Sequence, residues 1–232
     1  MKVGMIQSNY IPWRGYFDFI DEVDVFVFYD DVQYTHKDWR NRNRIKTATG
    51  LLWLSVPVVH HADTLIQNAR ISYQSRWVEK HIRSLSIEYR RAPFFDLYAH
   101  EFFGILNSRP QTISALNVAI CKWVMSILDI RTQTRMSCDF GIQGNKFDRP
   151  LEILKFLGAT SYLSGSTAKA YTDTRKFHEA GIGLEFKSYV YKEYPQLHGR
   201  FEPNVTILDL LFNCGKSSRD YLKSLAANEK VA

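Results

Sequence analysis

Two adjacent carboxylates, Asp30 and Asp31, end the apolar run Val25-Phe26-Val27-Phe28-Tyr29. At the carboxyl end of a strand such a pair holds a metal, orients a sugar hydroxyl or removes a proton. Both are candidate catalytic residues, and Gln33 and Tyr34 follow closely. The run Trp39-Arg40-Asn41-Arg42-Asn43-Arg44 comes next. If extended, its alternating arginines and asparagines would place several donors on one side, beside the Trp39 ring, which suits a phosphate or carboxylate. Upstream, Gln7-Ser8-Asn9-Tyr10-Ile11-Pro12-Trp13 puts amide and aromatic groups just after an apolar strand. Gln7, Asn9, Tyr10 and Trp13 would contact a polar ligand there, and the following helix start offers free amides to an anion. The turn Tyr162-Leu163-Ser164-Gly165-Ser166-Thr167, with Lys169, Tyr171 and Asp173 behind it, has the small hydroxyl-rich form of a phosphate cradle. Tyr194, Gln196 and His198 lie in a late loop, the usual place for recognition. Each stretch also has a plainer reading: a turn shaped by Asn9 and Pro12, a capping aspartate, a solvated arginine run.

Other chemistries lack their residues. No Gly-x-Ser-x-Gly elbow, zinc pattern, Walker loop or dinucleotide glycine fingerprint occurs. His60-His61 reads as a surface pair, so no metal ligand is assigned, and the sequence identifies no cofactor. Cys121, Cys138 and Cys214 are odd in number and far apart, which predicts reduced thiols. The net charge of +6 is spread along the chain apart from the Trp39–Lys46 run. That favours a local anion site over a nucleic-acid-binding arm. No apolar run approaches roughly 18 residues, and the opening one is too short for a signal segment. The expectation is a cytoplasmic protein with no membrane span and no nucleic-acid partner.

The elements that must carry these groups alternate. A strand at Val3–Ile6, a helix over Gly15–Val23 and the run from Val25 form a βαβ unit, and run-like strands imply a parallel sheet buried on both faces. Leu52–Val58 reads as a further strand with Pro57 at an edge or end. Val78, Ile82, Leu85 and Tyr89 share a helical face ending at Ala92-Pro93. Phe94–Leu106 carries an aromatic stripe suited to core packing, and Ile113, Leu116, Ile120, Val124 and Ile127 mark another helix. Beyond residue 130 come strands near Arg131–Met136, Ser161–Leu163 and from Leu184. Asp148 and Asp173 start helices that stop at Gly158 and Gly181, and a last helix runs from about Asn204 to Gly215. One α/β domain over 1–232 with a helix-rich insertion at about 74–128 is the expected organisation.

In order and spacing, these stretches resemble the WbqC-like family from Met1 to about Tyr221. The family pattern His-Gln-Pro-Asn-Tyr-Leu-Pro-Trp, then Gly-Tyr-Phe, stands here as Ile6-Gln7-Ser8-Asn9-Tyr10-Ile11-Pro12-Trp13 and Gly15-Tyr16-Phe17. Asp30–Tyr34, Trp39–Ile45, Tyr162–Gly165 and Tyr194–Gly215 match its later stretches. Ile6 replaces the histidine and Ser8 the proline, so no base is assigned at position 6. The resemblance implies a role in surface polysaccharide (O-antigen-type) or modified amino-sugar biosynthesis. The expected reaction is transfer of an acyl or aminoacyl group, glycyl for example, onto an amino sugar carried on a nucleotide or lipid diphosphate. A fainter likeness links Pro12–Tyr16 and Gln33-Tyr34 to nucleotidyltransferase-like proteins, although Trp13 and Tyr16 stand where their signature histidines would be. It implies a Rossmann-like sheet and, as an alternative, an ATP-dependent carboxylate-activating ligase. A non-catalytic glycan-assembly binding protein is the other alternative.

Overall fold

The computed structural model describes residues 1–144, 148–170 and 172–231. The opening apolar runs are strands β1 (Lys2–Ile6) and β2 (Val25–Phe28), joined by the helix α1 (Arg14–Ile20). They pair in parallel, with Val3 beside Val25 and Ile6 beside Phe28. Side chains alternate across this sheet: Val3, Met5, Val25 and Val27 enter one apolar cluster, Phe26 and Phe28 the other.

After β2 the chain leaves the sheet. An antiparallel hairpin, β3 (Arg42–Thr47) and β4 (Gly50–Ser55), is followed by a short pair, β5 (Val58–Val59) and β6 (Arg70–Ile71). The apolar run predicted as one strand over Leu52–Val58 is thus split, with Val56 and Pro57 between β4 and β5, because proline cannot donate to a ladder. Three helices come next: α2 (Trp77–Tyr89), α3 (Phe95–Asn107) and α4 (Ile113–Ile127). The aromatic stripe of α3 buries Phe95, Tyr98 and Phe102 in the main core.

The alternation then resumes with β7 (Gln133–Met136), α5 (Arg149–Phe156), β8 (Ser161–Ser164), α6 (Thr174–Glu179), β9 (Gly183–Phe186), α7 (Ile207–Cys214) and β10 (Glu229–Val231). Asp173 caps α6 by accepting from the Arg175 amide. The six-stranded sheet has the order β10-β9-β8-β1-β2-β7, parallel throughout except for β10. This is a mixed α/β fold with a largely parallel sheet. From β1 the chain builds outward to β2 and β7, then returns to the other side of β1 for β8 and β9. The direction of winding therefore reverses between β1 and β8, where such sheets open a crevice beyond the strand ends.

Candidate functional site: an arginine-walled cleft beyond strand β1

Three chain segments meet just past β1. The Gln7–Trp13 loop is pinned from below: Ser8 N–H donates to Asp30 Oδ1 (2.7 Å), Tyr10 N–H to the Trp39 carbonyl (2.9 Å), and Asn117 Nδ2 to Ser8 Oγ (3.2 Å). Asn43 donates both amide hydrogens upward, to the carbonyls of Tyr10 (3.2 Å) and Ile11 (2.8 Å). These bonds hold Ile11 at φ +44°, a left-handed conformation that is costly for a β-branched residue. Gly15 lets the Trp13 ring fold back, because a Cβ there would stand 2.4 Å from Trp13 Cζ2. The third segment arrives with α7: Thr206 N–H donates to the Arg44 carbonyl (3.0 Å) and Ile207 N–H to that of Pro12 (2.9 Å).

Between them lies a cleft of ≈ 210 Å³ lined by Asn9, Pro12, Trp13, Trp39, Asn43, Arg44 and Asn204. Five of these, Asn9, Trp13, Trp39, Asn43 and Arg44, are predicted site residues, brought together from two distant stretches. Trp13 packs on Tyr189 and Tyr191, with ring centroids at 5.3 and 5.6 Å. The Arg44 guanidinium lies 5.7 Å from the Trp39 ring and 5.3 Å from Trp53, and Arg42 sits 4.3 Å over Trp53. Among the described residues neither Arg42 nor Arg44 has an ion-pair partner, and the Nε of each is buried without a hydrogen bond. Arg40 instead grips Asn9: its guanidinium donates to Asn9 Oδ1 and stands 3.5 Å from Asp38. That contact fixes the Asn9 carbonyl inward and leaves its NH2 as a donor towards the cleft.

The other predicted residues are placed elsewhere. Neighbours on a strand end point to opposite faces, and this divides the carboxylate pair. Asp30 is fully buried, accepting from Ser8 and from the Ser114 hydroxyl on α4. Asp31 turns to the opposite side, where Arg149 clamps both of its oxygens and Ser137 donates to one. The two carboxylates expected to act as a catalytic pair thus lie apart, each with its oxygens occupied by neighbouring groups, and neither lines the cleft. Asn41, just before β3, is spent on the Val56 carbonyl, and within β3 the pleat turns Asn43 inward to its backbone partners beneath the cleft and leaves Arg42 and Arg44 outside. The expectation of all these donors on one side fails for that reason.

Tyr10 is buried, its hydroxyl 2.9 Å from His81 Nδ1 in an apolar setting that pushes the histidine down to about 4. Tyr162 is buried against Phe177 on the far side of the sheet, Ser164 is buried, and Gly165 starts a 3-10 turn; none lines the cleft. Gln33 is exposed and donates to the Ala62 carbonyl (2.6 Å), and Gln7 lies half-buried outside the lining. Tyr171 lies outside the described residues. Tyr194 and Gln196, expected to touch ligand, are absorbed by Asp209: Tyr194 Oη donates at 2.9 Å and Gln196 Nε2 at 2.8 Å, with Tyr89 Oη at 2.8 Å on the other oxygen. Lys46 closes the ring through Gln196 Oε1 (3.0 Å). Among the described residues no three His, Cys, Asp or Glu side chains converge as a metal site requires.

A pH dependence follows from Asp31. Burial would raise its pKa, but the bonds from Arg149 and Ser137 and the guanidinium charge outweigh burial and hold it below the ordinary carboxylate value. Its stabilisation is complete above the unfolded value and is lost as the pH falls through the lower folded one. Urea unfolding of the wild type and Asp31→Asn in an acid pH series should show a stability gap that closes towards low pH. A gap of constant size would contradict the pairing.

The WbqC-like protein family matches residues 7–221. The chain is 42% identical to the uncharacterized protein Rv1507c of Mycobacterium tuberculosis, covering 96% of this chain and 97% of that protein. No solved structure matches the chain. With nine-tenths of its length inside the family match, cleft segments included, this chain belongs to the WbqC-like family.

Proposed function

We propose that the chain is a transferase of surface-polysaccharide or modified amino-sugar biosynthesis that adds an acyl or aminoacyl group to an amino sugar carried on a phosphate-bearing anchor. The observation that carries this reading is Arg44, a cation with no carboxylate partner among the described residues, flanked by Trp39 and Trp53 at the edge of the cleft beyond β1. Guanidinium groups bind phosphate with two parallel bonds, and indole faces take the apolar side of a sugar ring. The volume is below the ~300 Å³ at which drug-sized pockets begin, so one ring or one phosphate-bearing unit would sit inside. The strand order β10-β9-β8-β1-β2-β7 supports a Rossmann-like fold, with the cleft beside its switch point. We read 1–232 as one such unit, with 74–128 as its helical insertion and the cytoplasm as its compartment. No helix among the described residues is long and apolar enough to cross a membrane.

Chemically, the acceptor amine attacks the acyl carbonyl, a carbon–nitrogen bond forms, the bond from the carbonyl carbon to the donor's leaving group breaks, and the amine proton departs with that leaving group. Asn9, held by Arg40, would donate its NH2 to a ligand oxygen, and the cleft would contribute orientation, a large part of the barrier in two-substrate reactions. Incubation with nucleotide amino sugars and a panel of acyl and aminoacyl donors, read by mass spectrometry, tests this. A donor-sized mass gain that Arg44→Met abolishes is expected; no gain across the panel counts against transfer. One observation favours a second reading, a glycan-assembly binding protein. The seven lining residues include no carboxylate, histidine or cysteine to move a proton. That reading predicts saturable binding without turnover.

A further inference from the structure

Basic residues that look scattered along the sequence gather on one helix. α2 buries Trp77, Val78, His81, Leu85 and Tyr89 in the core. At about 100° per residue, Arg76, Lys80, Arg83, Ile87, Arg90 and Arg91 fall together on the opposite side, and all six are exposed. Arg76 stands 3.9 Å from Glu79. Among the described residues the side chains of Lys80, Arg83, Arg90 and Arg91 have no partner. Like charges at Arg76–Lys80 and Lys80–Arg83 repel along the helix, which weakens it in isolation. Ile87, 60% exposed, sits amid these cations, and with Arg83, Ser86 and Arg90 it frames a shallow depression of ≈ 390 Å³.

We propose that this face of α2 docks on a bilayer surface carrying anionic phospholipid. The charge complement is direct: a stripe of guanidinium and ammonium groups, four of them without a partner among the described residues, meets a plane of phosphates. Ile87 suits the headgroup–acyl boundary, where an apolar side chain ringed by cations is stable. Single-stranded nucleic acid is the poorer match, because its platforms are aromatic and this stripe has no aromatic residue. The inference is independent of the ligand in the cleft.

Co-sedimentation of the full chain with vesicles tests it, using phosphatidylcholine alone and phosphatidylcholine with one-third phosphatidylglycerol, at low salt. Binding should require phosphatidylglycerol, weaken as salt shortens the screening length, and fall about 30-fold in Arg83→Gln/Arg90→Gln, at about fivefold per basic residue. Both side chains are exposed and have no partner among the described residues, so the variant's circular dichroism and melting should match the wild type. Binding that ignores phosphatidylglycerol, or a double variant that partitions like the wild type, overturns the proposal. So does an RNA oligonucleotide that binds the wild type more tightly than the vesicles and loses the double variant.

Discussion

Replacing Asp209 by alanine is expected to lower the unfolding free energy by about 4 kcal/mol, a cost in the range for breaking a buried charged network. Asp209 is the lone charge in the apolar helix Ile207–Cys214 and has no solvent exposure. Its oxygens accept from Tyr89 and Tyr194 and from the Gln196 amide, and Lys46 reaches the same ring through Gln196. Alanine would leave two buried donors, the Tyr89 and Tyr194 hydroxyls, without their acceptor and the buried Lys46 ammonium without its counter-charge, while Gln196 would keep the Glu202 carbonyl. Asp209→Asn keeps the volume and part of the acceptance, so its loss should be smaller. Burial raises the Asp209 pKa against the pull of those hydrogen bonds and of Lys46. The folded state therefore holds this proton more tightly than the unfolded chain does. Wild-type stability should decline as the pH rises through the folded Asp209 value, and Asp209→Asn should lack that decline. Denaturant unfolding across this range measures both effects; an alanine variant within ~1 kcal/mol of the wild type, the size of an ordinary substitution, would contradict the network. Because α7 holds Thr206 on Arg44 and Ile207 on Pro12, loosening Asp209 should also loosen the cleft.

Much of this architecture was legible in the sequence. β2 falls inside its apolar run and β8 on its short one because strands buried on both faces need no alternation, whereas the edge-side β7 and β9 are only partly buried. Asn9, Trp13, Trp39 and Arg44, which line the cleft together with the scaffold amide Asn43, were readable as candidates because amides, indoles and arginines gather after a strand end. The pleat was the lost information. Asp30 and Asp31 are consecutive and so diverge, one to Ser114 and the other to Arg149, and the same alternation separates Asn43 from Arg44. Asn204 gave no local signal, since it reaches the cleft only through backbone bonds from α7 to residues far back in the chain. Two signals were present but unread. A single aspartate within Ile207–Phe212 marks a buried charge that must be satisfied, and Arg76, Lys80, Arg83, Arg90 and Arg91 follow a helical period.

Arg44→Met should weaken anionic-ligand binding about 30-fold, the loss of one charge-assisted contact of about 2 kcal/mol. It should change stability little, since what it removes within the protein is the pair of contacts with Trp39 and Trp53, worth ~0.5–1 kcal/mol at an exposed site. Arg44→Lys keeps the charge but not the planar fork, and should fall between the two.

Calorimetric titration of inorganic pyrophosphate and UDP-N-acetylglucosamine into the wild type, Arg44→Met and Asp31→Asn asks the central question directly. An arginine-walled cleft beyond β1 predicts saturable binding by the wild type, about 30-fold weaker binding by Arg44→Met, and wild-type affinity in Asp31→Asn. Equal affinities in the wild type and Arg44→Met, or a loss confined to Asp31→Asn, would place the anion elsewhere and contradict the assignment.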